Sequence, residues 1–138
     1  MHRRINSRLI QVIYVLITLL ITFFTYESSL NNGFTNWDDP KYVIDNELIK
    51  SFSWNNIKAI FSTYVMGNYH PFAIISYAFD YYFYQLDPFG YHLTNLIIHL
   101  VNTVLVFVFI KTLIKKSELA LVVSLLFGIH PLHIESVV

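Results

Sequence analysis

The pair Asp38-Asp39, in the tetrapeptide Trp37-Asp38-Asp39-Pro40, is the first place in this chain where side chains could do chemistry. A positioned carboxylate can take the proton of a hydroxyl that attacks a sugar carbon, so either aspartate is a candidate general base. The plain alternative is a turn, because Asp-Asp-Pro strings commonly begin one. A second polar cluster, His130-Pro131-Leu132-His133-Ile134-Glu135, offers imidazoles and a carboxylate, the ligand types that suit zinc or manganese. It carries no His-Glu-x-x-His signature, so a divalent metal is one reading of it and a metal-free binding surface the other. His92, Asn95, His99 and Asn102 follow at steps of three, four and three residues and share one helical face. Such a stripe either joins helices through hydrogen bonds or lines a cavity.

The elements that must position these groups are apolar helices. Apolar residues make up 55% of the chain and charged residues 13%, a membrane profile. The net charge of zero gives no electrostatic footprint for nucleic acid. The absence of cysteine excludes disulfides and thiolate chemistry. The composition predicts an all-α membrane protein with three transmembrane segments, over 9–26, 91–114 and 119–138. The third is expected to break near His130-Pro131. A signal peptide competes for the first segment, but its apolar run is long and no small-x-small cleavage site follows.

Arg3, Arg4 and Arg8 precede the first segment, and Lys111, Lys115 and Lys116 surround the turn at 115–118. Positive-inside asymmetry therefore places residues 1–8 and that turn in the cytoplasm, and the loop 27–90 outside. Within the loop, apolar spacing predicts short helices near 53–64, with Ser53 as N-cap, and near 70–86. The second is rich in aromatics and suits the membrane interface; a soluble subdomain with an aromatic core is the alternative. About 16 Å of helix is available before His130, which sets the His130–Glu135 cluster at the depth of the polar stripe. Together they outline a cavity open to the outside, beneath the acidic loop.

Several motifs in order carry a resemblance: Phe34-x-x-Trp37-Asp38-Asp39-Pro40, Asn68-Tyr69-His70-Pro71, Gly90-Tyr91-His92-x-x-Asn95-x-x-x-His99 and His130-Pro131-x-His133-x-Glu135. The chain resembles the N-terminal part of bacterial multi-spanning membrane proteins with tetratricopeptide repeats. These are similar to the transmembrane and tetratricopeptide repeat-containing O-mannosyltransferases of the C-type glycosyltransferase superfamily. The resemblance implies the N-terminal part of a C-type glycosyltransferase-like helical bundle. It implies transfer of a sugar from a polyprenyl-phosphate donor to a protein acceptor hydroxyl, with Asp38 or Asp39 as catalytic base. It further implies substrate binding by His70, His92, His99, His130, His133 and Glu135.

The expected partners are the polyprenyl-phosphate-linked sugar, the protein acceptor and membrane lipid, with no nucleic acid. The expected location is a bacterial inner membrane with the N-terminus cytoplasmic. The later spans and repeats of that family do not appear before Val138, so the chain reads as an N-terminal fragment, inactive alone. Two other functions stay open: a non-catalytic module that binds a lipid or partner helix, with a structural acidic pair, and a metal-dependent membrane hydrolase.

Overall fold

The computed structural model describes residues 7–137, apart from the side chains of Glu135 and Ser136. All regular elements among these residues are helical, with no β-strand. The main helices are α1 (Ser7–Tyr26), α2 (Trp54–Ile60), α3 (Pro71–Tyr84), α4 (Pro88–Ile114), α5 (Ser117–Gly128) and α6 (Ile134–Val137). They divide into two compact units. One contains the chain up to Leu30 and from Asn95 onward, and the other is Asn31–Thr94.

The first unit is built inside out relative to a water-soluble bundle. Leu9, Val12, Leu16, Leu20 and Phe24 of α1 are exposed, as are Ile97, Val101, Leu105 and Phe109 of α4. Thr18, Thr22, His99, Thr103 and Ser124 are buried instead. Apolar side chains gain nothing by avoiding lipid, whereas hydroxyls and imidazoles need partners, so polar groups collect between membrane helices. Local bonds satisfy several of them: Thr18 Oγ1 donates to the Tyr14 carbonyl at 2.9 Å, and Thr103 Oγ1 to the His99 carbonyl at 2.8 Å. Their small size lets α1 and α5 pack closely. At Gly128 a Cβ would stand 2.2 Å from Thr22 Oγ1 and 3.2 Å from Thr103 Cγ2, so only glycine fits this crossing.

Among the described residues, two helices are long and apolar enough to cross a membrane: α1, extended by a 3₁₀ turn at Glu27–Asn31, and α4 with 27 residues. The expectation of a third transmembrane segment over 119–138 is not met. α5 has 12 residues, about 18 Å of helix against a core of about 30 Å. It stops at Gly128, and Pro131, which lacks an N–H, opens a separate 3₁₀ turn at Pro131–His133. The short α6 follows.

The second unit has a conventional core of Val43, Ile49, Ile60, Ile74, Ala78 and Tyr91. Burial of each large aliphatic side chain there contributes about 1.5–3 kcal/mol. Polar side chains shape the loops around it. Asn46 Oδ1 accepts from the Leu48 N–H at 3.0 Å, which caps a 3₁₀ turn at Glu47–Ile49. Ser53 Oγ accepts from the Asn56 N–H at 3.2 Å and starts α2. Val65 and Asn68 pair across a tight turn with positive φ at Met66 and Gly67. α3 then begins with Pro71 in its first turn, where a missing N–H costs nothing.

α3 buries Ile74, Ala78 and Asp80 and leaves Phe72, Phe79, Tyr82 and Phe83 exposed. The segment is therefore part of a packed subdomain that also presents an aromatic face. Gln85, at φ 54°, reverses the chain into α4. Tyr91 Oη holds that reversal by donating to the Gln85 carbonyl at 2.8 Å.

Candidate functional site

In the second unit, candidate residues gather around the turn that opens at Asp38. The Asp38 carbonyl accepts from the N–H groups of Lys41 and Tyr42, both at 3.0 Å. Pro40, third in this turn, cannot extend a ladder and so helps fix it. The two carboxylates differ in employment. Asp39 Oδ2 accepts from the Thr35 N–H at 2.6 Å and from Thr35 Oγ1 at 3.1 Å. Asp38 is exposed, and among the described residues its carboxylate has no hydrogen-bond partner. One aspartate thus builds the loop, and the other is available to a ligand.

Tyr77 of α3 is near this pair. Its hydroxyl pKa is raised by burial first, then by the charge of Asp39, with Tyr42, Asp80 and Asp38 adding to it. His92 is half-buried, with its ring against the Asn32 backbone. Its Nε2 is buried without a hydrogen-bond partner among the described residues, an unmet capacity beside the acidic loop. His70 is exposed just before α3, and its carbonyl accepts from the Ile74 N–H.

Asp80 is a candidate that the motif reading passed over. Its side chain is 1% exposed and accepts from Thr94 Oγ1 at 2.5 Å. Burial pushes its pKa up from 3.8 to about 6, and the Thr94 bond opposes that rise. A carboxyl that titrates near neutrality is the kind of group found at functional sites, although buried structural networks produce it too. The available signal was one acid inside the aromatic run 71–86.

In the first unit, the helix break organises the remaining histidines. A helix that ends inside an apolar layer leaves carbonyls without partners. His99 Nε2 lies 2.8 Å from the Gly128 carbonyl, and a carbonyl only accepts, so this nitrogen carries the hydrogen. Tyr26 Oη donates to the His130 carbonyl at 3.1 Å. The His130 side chain turns back on its own segment, with Nδ1 accepting from the Leu132 N–H at 3.2 Å. His99, taken from sequence as a substrate-binding candidate, is thus engaged in capping α5.

The rings of His99 and His133 are 5.0 Å apart, those of His130 and His133 are 6.2 Å apart, and Phe127 lies 4.5 Å from His133. Burial, with His99 and His130 nearby, lowers the pKa of His133 and favours its neutral form. Among the described residues no three His, Cys, Asp or Glu side chains converge as metal ligands. The Glu135 side chain lies outside the described residues.

No model of a known protein family matches the chain. No solved structure matches it. Curated proteins do. It is 29% identical over 127 residues to the protein O-mannosyl-transferase Tmtc1 of Drosophila melanogaster, a match covering 85% of this chain and 14% of that protein. It is 30% identical over 133 residues to the protein O-mannosyl-transferase TMTC3 of Homo sapiens, covering 88% and 14%. It is 31% identical over 109 residues to the protein O-mannosyl-transferase tmtc2 of Xenopus laevis, covering 73% and 13%. The chain therefore spans about one-seventh of the length of these relatives. Similarity over 85–88% of the chain supports the protein O-mannosyl-transferases as its family.

Proposed function

We propose that this chain forms part of a membrane glycosyltransferase that moves a sugar from a polyprenyl-phosphate donor to a protein hydroxyl. The observation that carries this reading is the similarity to proteins named as protein O-mannosyl-transferases along most of the chain. The differing employment of the two aspartates supports Asp38 as the base, because Asp39 is already bonded to Thr35.

In the proposed step Asp38 takes the proton of the acceptor hydroxyl while the hydroxyl oxygen bonds to the anomeric carbon. The bond from that carbon to the phosphate oxygen breaks, and its electron pair leaves with the polyprenyl phosphate. His92, half-buried in the same unit, is proposed to bond a substrate hydroxyl or phosphate oxygen. The loop 27–90 lies on the outer face, with the N-terminus cytoplasmic, as the arginines before α1 and the lysines after α4 favour.

Membranes carrying the full-length transferase of which this chain is proposed to form part, supplied with labelled polyprenyl-phosphate mannose and an acceptor protein, test this reading. Transfer of label to protein hydroxyls is expected. Labelling from a nucleotide sugar alone, with the lipid donor inert, would refute the donor assignment. A non-catalytic module is the second reading, favoured by the structural work of Asp39 and His99. It predicts that substitutions at Asp38 change assembly and leave transfer intact.

A further inference from the structure

The first unit also holds a cleft of about 390 Å³ between α1 and α4, near the N-terminal end of α1. Its walls are apolar, formed by Val12, Val15, Leu16, Phe107 and Val108, and its mouth carries Arg8, Gln11, Lys111 and Thr112. Lys111 Nζ donates to Gln11 Oε1, which holds the ammonium over the cleft, and two of its three N–H groups remain for a ligand.

We propose that this cleft binds one anionic glycerophospholipid from the leaflet that faces the N-terminus of α1. The phosphate would sit at Arg8, Lys111 and Thr112, and an acyl chain would lie along Val12, Leu16 and Val108. Charge and depth argue for this occupant together. Both cationic side chains belong to terminal turns of membrane-length helices, where headgroups lie. The apolar walls begin one helical turn further in, at Val12 and Val108, where acyl chains lie. Plain snorkelling of Lys111 would account for a cation at this level. It does not account for a cleft whose wall turns from cationic to aliphatic along the direction in which a lipid changes from head to tail.

The test is native mass spectrometry of the full chain released from mixed micelles with equal phosphatidylglycerol and phosphatidylcholine. One retained phosphatidylglycerol per chain is expected, favoured about thirtyfold over phosphatidylcholine at about 1 kcal/mol for each of the two cations. Lys111→Gln is expected to weaken that preference roughly fivefold, at about 1 kcal/mol per cation near a membrane surface. Val108→Trp keeps both cations and fills the cleft, and should abolish retention while the helical circular dichroism is unchanged. Glycerol phosphate at millimolar concentration should not displace the lipid; if it does, the site reads phosphate alone and the acyl part of the proposal fails. Equal retention of the two lipids, or full retention by Val108→Trp, would overturn it.

Discussion

Asp80→Asn isolates the energetics of the buried carboxyl in the second unit. Asn Oδ1 can still accept from Thr94 Oγ1, so the substitution removes the charge and keeps the bond observed at 2.5 Å. Asp80 has its folded-state pKa raised from 3.8 to about 6, so the native state holds the proton more tightly than the unfolded chain. Stability must then fall as pH rises through that window. Linkage with these two values gives a cost of about 0.5 kcal/mol at pH 4 and about 3 kcal/mol at pH 8.

The assay is equilibrium denaturation in mild detergent at both pH values, followed by near-ultraviolet circular dichroism. That signal reports the packing of Tyr42, Tyr77 and Tyr91 around the core. The difference between Asp80→Asn and the parent chain cancels the other carboxylates. The variant should gain stability over the parent from pH 4 to pH 8 by about 2–3 kcal/mol. Equal pH dependence in the two proteins, or a variant less stable at pH 8, would refute the claim that burial holds Asp80 near neutrality.

Four further outcomes follow from the packing and the loop. Gly128→Ala should cost about 1–3 kcal/mol by overpacking Thr22, and Thr22→Ala in the same chain should restore most of it in thermal melts. His99→Phe keeps a ring against Phe127 but leaves the Gly128 carbonyl unpaired, at about 1–3 kcal/mol in the same melts, whereas Tyr26→Phe should cost less because its bond is longer and the His133 N–H also donates to the His130 carbonyl. Thr94→Val removes the one bond that holds the Asp80 pKa down, so a titration of that carboxyl should move upward. The chain has no cysteine, so single cysteines at Asn36 and Lys115 can be labelled from outside intact cells with an impermeant maleimide; reaction at position 36 and protection at 115 are expected, and the reverse would overturn the proposed orientation.

Much of the architecture was legible because its signals are local. The apolar runs define α1 and α4, and Ser53 marks the start of α2 by the bond its spacing allows. The break expected near His130-Pro131 is there, but the helix before it, Ser117–Gly128, is too short to cross, so the third apolar run is not a span. The histidine stripe was read as one surface, yet His99 is engaged at the α5 terminus and His92 has an unmet nitrogen in the other unit. Periodicity puts residues on a face without saying what meets them. The aspartates show the same limit: adjacent and identical in sequence, they separate only once Thr35 is seen bonded to Asp39. Thr18 and Thr22 are both buried, Thr18 bonded to the Tyr14 carbonyl and Thr22 with no hydrogen-bond partner for its hydroxyl among the described residues, and composition registers neither.

The proposal of Asp38 as the catalytic base is tested most directly by comparing sugar transfer from polyprenyl-phosphate mannose by Asp38→Asn and by Asp39→Asn, with folded protein confirmed for both. Asp38→Asn is expected to lower transfer by about 10²–10⁴-fold, the worth of a positioned base, without loss of helical structure. Asp39→Asn should act instead through loosening of the Thr35 loop, with a smaller loss that accompanies reduced stability. Unimpaired transfer by Asp38→Asn would contradict the account.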